Sequence, residues 1–211
     1  TVRTITRPGA STGQLGLAFL GASVTVGGVV VPAGSLAVVN GGDAPDRLYY
    51  LDPAGTGTVL ASVALGGQPL VDEAGGFAVA YHAGRNSFFV LRQGTDLLTE
   101  IDPATGAALR SMHLGIDGGD YWGGLTVHPT RGTLLLGNRV SVVEVDPANG
   151  QVLGTYDPIS NNKLSSVDMR QEGTTFDQQW SGYLTGLAFD AAGKLWGSTN
   201  GSRLLELAMP G

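Results

Sequence analysis

Two short stretches concentrate side chains that could bind or react. One is Ile116-Asp117-Gly118-Gly119-Asp120-Tyr121-Trp122; the other is Phe176-Asp177-Gln178-Gln179-Trp180-Ser181-Gly182-Tyr183. Indole and phenol rings offer flat apolar faces, and the neighbouring carboxylates and amides offer hydrogen bonds. That combination suits a sugar or a peptide. Asp117, Asp120, Tyr121, Trp122, Asp177, Trp180 and Tyr183 are therefore the candidate ligand-binding residues. In the competing reading Trp122 and Trp180 cap strand cores, with their N–H groups satisfied locally. Asp117, Asp120 and Asp177, with Asp72 and Glu73, are hard oxygen donors, and Ca2+ is the ion they would suit. No EF-hand-like loop accompanies them.

Catalytic patterns are scarce. There is no cysteine and no Gly-x-Ser-x-Gly elbow. His82, His113 and His128 are far apart and lack the spacing of zinc ligands. His82 and His128 end equivalent segments, and Asp190 holds that place in a third, which predicts a role in turns. Gly-x-Gly patterns abound because glycine abounds, and none opens a helix, so no phosphate cradle is read from them. No residue is assigned as catalytic.

The elements that position these groups follow from composition and repetition. The chain has 211 residues, 34 of them glycine, with 14% charged and 42% hydrophobic residues. Glycine-rich, charge-poor chains of this kind build many short strands joined by tight turns. The formal net charge is -6 and no basic cluster occurs, which argues against nucleic acid as a partner. No apolar run reaches the ~18 residues of a membrane span. A cysteine-free chain fits a reducing cytosol or a secreted protein that avoids thiols, and the scarcity of lysine favours the second.

A repeat runs through the chain. Three turns match: Leu51-Asp52-Pro53-Ala54-Gly55, Ile101-Asp102-Pro103-Ala104-Thr105-Gly106 and Val145-Asp146-Pro147-Ala148-Asn149-Gly150; Leu205 to Gly211 is a degenerate fourth. In each, the Asp carboxylate is expected to accept a backbone N–H two residues on. Upstream of each turn lie three strand-like segments, beginning with Gly16-Leu17-Ala18-Phe19, Ala78-Val79-Ala80-Tyr81, Gly124-Leu125-Thr126-Val127 and Gly186-Leu187-Ala188-Phe189. A small residue sits between two large ones each time, as interdigitating sheets require. Units of this length with several short strands are propeller blades. A fourth strand follows the first three turns. The last copy lacks one, and the N-terminal run Thr1 to Thr6 is a spare strand. The expected fold is therefore all-β: a four-bladed β-propeller over residues 1–211 as one domain, with four antiparallel strands per blade. The N-terminal strand is expected to complete the last blade and close the ring.

The units Leu98 to Gly106 and Val142 to Gly150, with the hairpin Gly186 to Trp196, resemble bacterial extracellular β-propeller repeats of the YVTN, NHL and quinoprotein-like kind. The resemblance covers nearly the whole chain and implies the fold. Members of that group serve as scaffolds, adhesin modules, lyases, lactonases and dehydrogenases. The tryptophan-docking motifs of quinone-dependent blades are absent, against a dehydrogenase. In that fold the connections entering the inner strands share one face, and both candidate stretches are such connections. Residues 161–179 form an insertion read either as a surface loop or as a lid over the axial opening. Ser23 to Val31 is expected to form an extra hairpin around Gly27-Gly28.

The function expected is non-catalytic. The chain would be a monomeric ligand-binding or spacer module of a larger secreted or cell-surface bacterial protein, adhesin-like, taking carbohydrate or peptide on the entry-loop face. The alternative is a propeller enzyme with an axial site, a calcium-assisted lyase or a hydrolase.

Overall fold

A computed structural model describes residues 5, 8–9, 15–40, 46–54, 57–66, 77–92, 96–116, 123–137, 141–156, 163–168, 171–175, 184–199 and 203–207. The fold is all-β, of the four-bladed β-propeller class; among the described residues it has four antiparallel sheets of four or five strands, one two-stranded hairpin and a single 3-10 turn as the one helical piece. Two compact units divide the chain. One comprises Thr1–Arg92 and Leu97–His113, the other Gln93–Asp96 and Leu114–Gly211.

In the first unit the strands are β1 (Leu15–Phe19), β2 (Val24–Val26), β3 (Val29–Val31), β4 (Leu36–Asn40), β5 (Arg47–Leu51), β6 (Val59–Ala64), β7 (Phe77–His82), β8 (Ser87–Arg92), β9 (Leu97–Ile101) and β10 (Ala108–His113). They form two meanders, β1-β4-β5-β6 and β7-β8-β9-β10. β2 and β3 make the expected hairpin, turning at Gly27-Gly28. Alternation along it buries Val24 and Val26 with Val31 and leaves Val29 and Val30 exposed. The buried valines join one core with Val39, Leu48, Tyr50, Val79, Tyr81 and Phe88. Ala18 lies against this core as the small partner of the repeat, and Leu17 and Phe19, on the opposite face of β1, are exposed.

The second unit holds β11 (Gly124–Val127), β12 (Leu134–Gly137), β13 (Val142–Val145), β14 (Val152–Tyr156), β15 (Lys163–Asp168), β16 (Gln171–Thr175), β17 (Leu184–Phe189), β18 (Leu195–Thr199) and β19 (Arg203–Leu207). β11 to β14 form a third meander. The last sheet has five strands in the order β16-β15-β19-β18-β17. Leu135, Leu184, Leu187, Leu195, Leu205 and Leu207 are buried together across these two sheets.

Two expectations are corrected here. The place beside β19 belongs to β15, in register Ser166↔Leu205 and Val167↔Leu204, and not to the N-terminal strand. Ile5, a described residue of that N-terminal run, packs on Leu36, Val38 and Leu51 of the first sheet. The insertion is likewise no simple loop, because it contributes β15 and β16 as an antiparallel pair. Its Val and Thr residues favour extended backbone. It is also tethered closer to β19 in sequence than residues 1–6 are, which lowers the entropy of pairing.

The Asp turns form as the sequence predicts. Asp102 Oδ1 accepts from the Ala104 and Thr105 amides at 2.9 and 2.8 Å, and Asp146 Oδ1 from Ala148 at 2.7 Å. In the first sheet the turn is one residue longer. Asp52 N–H donates to Thr58 O, where Asp102 donates to Ala107 O, so Gly57 rather than Gly55 is the counterpart of Gly106. Gly106 has φ +73, and a Cβ there would stand 2.2 Å from Ala64 O. Gly34 also has a positive φ, +85, with nothing near. Gly106→Ala should therefore destabilise the protein by about 2 kcal/mol or more, and Gly34→Ala by about 1 kcal/mol. Urea unfolding followed by circular dichroism measures both; equal effects would show that the Ala64 contact is not what fixes Gly106.

Candidate functional site

In each meander the strand-one-to-two turn and the Asp turn lie at one end. The connections entering and leaving the sheet lie at the other. The two ends are built differently.

The turn end is clamped by carboxylates inside the sheets. Glu100 on β9 is almost fully buried. It accepts from Arg85 Nε at 2.8 Å, from Ser87 Oγ at 2.7 Å, and from Arg110 Nε. Arg85 lies in the turn between β7 and β8, Ser87 opens β8, and Arg110 is the cross-strand partner on β10. One carboxylate thus ties a turn to three strands. Burial pushes the Glu100 carboxyl up, and the hydrogen bonds from Arg85, Ser87 and Arg110 outweigh it, bringing it down to about 2.

The third sheet repeats the device. Glu144 on β13 accepts from Arg131 Nε at 2.9 Å, from Thr133 Oγ1, and from the Tyr156 hydroxyl at 2.7 Å. Here Gly154 faces Glu144 across the sheet in the place of Arg110. A Cβ at Gly154 would meet the Tyr156 hydroxyl at 2.9 Å, so glycine is what lets that ring fold back over the strand. In the last sheet Lys194 Nζ lies 3.0 Å from Glu206. The first sheet has Tyr50 at this position, and its hydroxyl donates to Pro103 O in the neighbouring Asp turn.

His128 and Asp190 also serve the turn end. His128 Nδ1 faces the Thr130 and Arg131 amides, each at 3.3 Å. Asp190 does the same with Ala192 and Lys194, both at 2.9 Å, and its other oxygen accepts from Trp196 Nε1 at 2.9 Å.

The opposite end carries the long connections. Residues 114–123 leave β10 with Leu114 N–H bonded to Asp96 O at 3.0 Å and Gly115 N–H to Asp96 Oδ2 at 3.3 Å. They enter β11 through Gly123, whose N–H donates to Gly137 O at 3.1 Å. β17 starts beside this point. A Cβ on Gly123 would lie 2.4 Å from Leu184 O and 2.7 Å from Thr185 Cα, so the two backbones meet there only because residue 123 is glycine. Gly123 directly follows Trp122, and Leu184 directly follows Tyr183. The two candidate stretches therefore spring from touching strand starts within one unit.

All seven sequence-predicted ligand residues, Asp117, Asp120, Tyr121, Trp122, Asp177, Trp180 and Tyr183, lie outside the described residues, as do Asp72 and Glu73. Among the described residues no group of three His, Asp or Glu is placed to hold a metal ion. No described helix is long and apolar enough to cross a membrane. The clamp residues Glu100, Glu144, Arg85, Arg131, Arg110 and Tyr156 were not singled out by the sequence reading. Their signal was a glutamate two residues before the Asp-Pro turn, inside an otherwise apolar strand.

No family model and no curated protein sequence matches the chain. Solved structures do. The glutaminyl cyclase of Myxococcus xanthus aligns with a TM-score of 0.55 and 16% identity, over 92% of this chain and 71% of that one. Hydrazine synthase of Kuenenia stuttgartiensis aligns with a TM-score of 0.51 and 12% identity, over 96% of this chain and 47% of the other. The WD40 β-propeller domain of Doa1 aligns at 0.47 and 12% identity, over 83% and 47%. At these identities the likeness to the cyclase and the synthase is one of fold.

The clamp gives a pH prediction. The Glu100 carboxyl is lower in the folded chain than its ordinary value of 4.5. Its stabilisation is complete above that value and is lost as pH falls toward about 2. Glu100→Gln should lower stability by about 2 kcal/mol at neutral pH. The gap from wild type should close as both are unfolded by urea at progressively lower pH. A gap that stays constant down to about pH 2 would mean the charge on Glu100 contributes nothing.

Proposed function

We propose that the chain is a ligand-binding module of a larger secreted or cell-surface protein. It takes a carbohydrate or peptide between the connections 117–122 and 176–183. The observation that carries this reading is the contact of Gly123 with Leu184 and Thr185, which roots both connections at one point. Trp122, Trp180, Tyr121 and Tyr183 supply stacking surface, and Asp117, Asp120 and Asp177 orient the ligand through hydrogen bonds or through a Ca2+ ion. The clamped turn end supports the same division of labour, since the sheets are fixed at one end and the chemistry is concentrated at the other.

Glycan and peptide arrays probed with the wild-type chain, Trp122→Ala and Trp180→Ala test it, with and without a calcium chelator. Binding should fall by about tenfold or more in each variant, the loss of one buried aromatic anchor. Binding unchanged in both variants would reject this end of the sheets. Loss on chelation would assign the acids to calcium. Conversion of a bound glycan or peptide, seen by mass spectrometry, would replace the binding reading with the enzymatic one.

A further inference from the structure

Three of the strand-one-to-two turns follow a histidine or an aspartate at the end of the inner strand. The second sheet has His82, the third His128 and the last Asp190. The last two can be compared directly. His128 N–H donates to Thr133 O and its own carbonyl accepts from Gly132; Asp190 pairs in the same way with Lys194 and Gly193. Both side chains then face the amides of the turn they open. For Asp190 the acceptor is a carboxylate, held below the usual range chiefly by the Trp196 hydrogen bond. For His128 it is a ring nitrogen, which accepts only while it is unprotonated.

Two of the three groups around that nitrogen are backbone amides that can only donate. The Thr130 amide, the Arg131 amide and the Thr130 hydroxyl all lie 3.3 Å from Nδ1. The two amides cannot reverse, so Nδ1 is the acceptor and Nε2 carries the proton. The ring also packs on Phe189 of β17, with centroids 5.2 Å apart. The charged groups that face it are Arg131 on its own turn and Glu144 on β13. Tyr156 of β14 reaches it only through Glu144, and Phe189 brings no charge.

We infer that His128 is an acid-sensitive latch on the β11–β12 turn, which opens when Nδ1 takes up a proton. Protonation turns the acceptor into a donor aimed at two backbone donors. It also sets a cation beside Arg131, the residue that clamps Glu144. The turn and the clamp are thereby loosened together. Burial and Arg131 hold the ring below its ordinary value, outweighing the pull of Glu144. The unfolded chain therefore takes up the proton first, and the latch contributes stability that is complete above the ordinary histidine value and is lost as pH falls below it. Glu144 does not titrate in this interval, because its carboxyl is also held low, with the Thr133 and Tyr156 hydrogen bonds and Arg131 outweighing its burial.

The last sheet supplies the control. His128→Asp installs the acceptor that Asp190 provides, and that acceptor keeps its charge over the same interval. Amide exchange of the full chain, corrected for intrinsic rates, is compared at about pH 7.5 and about pH 5. In wild type the Thr130 and Arg131 amides should lose about tenfold or more of their protection at the lower pH, while those of the Asp190 turn keep theirs. In His128→Asp both turns should be insensitive. Equal wild-type protection at the two pH values would overturn the latch. So would a loss of the same size in His128→Asp, since the titrating group would then lie elsewhere. Should that variant not fold, the wild-type contrast between the His128 and Asp190 turns decides alone.

Discussion

The structure depends on finding partners for a carboxylate placed inside a sheet. Glu100 and Glu144 sit in the third strands of their sheets, both almost fully buried. An unpaired charge there would cost several kcal/mol, so each must be surrounded by donors that the same sheet supplies. The donors come from three places: a cation in the strand-one-to-two turn, a hydroxyl at the start of strand two, and a group on strand four. Only one register satisfies all three. A slip by one residue would carry the glutamate to the other face, away from Arg85 and Ser87 or from Arg131 and Thr133. The clamp therefore specifies pairing as much as it stabilises it. The first sheet shows what happens without it. Tyr50 replaces the glutamate and sends its hydroxyl to Pro103 O. Ser35, the counterpart of Ser87 and Thr133, keeps a buried hydroxyl with no hydrogen-bond partner among the described residues.

That requirement explains why the two ends of the sheets differ. The turn end must keep its length, because the Asp turns and the clamps fix its geometry residue by residue. Asp102, Asp146 and Asp190 each close a turn with backbone and side chain together. The other end needs only its roots held, as Asp96 holds Leu114 and Gly115. Connections between such roots are where a rigid scaffold tolerates changes of length and chemistry.

Much of this was legible in the sequence because it is local. The period-two alternation and the Asp-Pro turns depend on neighbours a few residues apart, and both formed as expected. The turn role of His128 was legible for the same reason, by analogy with Asp190. The clamps were not, because Glu100 and its partners Arg85 and Arg110 are ten or more residues apart and meet only once the register is known. The outer strands of the last sheet were missed for another reason. Lys163 to Asp168 is mostly polar and lacks the apolar face by which the other strands were recognised. Such a strand can form on backbone hydrogen bonds to β19 on one side and β16 on the other without such a face. The meeting of Gly123 with Leu184 joins residues sixty-one positions apart in sequence, roughly one repeat, and no local pattern announces it.

One irregularity connects the sheet edge to the clamp. The pairing of strands three and four shifts register at the same place in three sheets: at Tyr50/Leu51, at Ala108/Arg110 and at Glu144/Val145. Each shift passes over one leucine of the outer strand, Leu60, Leu109 or Leu153. Without it the leucine would stand opposite the clamp position. With it, Arg110 stands opposite Glu100, Gly154 opposite Glu144, and Ala61 opposite Tyr50. The bulge thus delivers a cation to one carboxylate, makes room for Tyr156 beside another, and leaves a small residue facing a large ring. The displaced Leu109 and Leu153 are exposed on the outer strand. An exposed leucine on a regular edge would invite pairing with another chain, and the added twist of a bulge works against that. The same extra residue therefore satisfies the interior of each sheet and guards its edge.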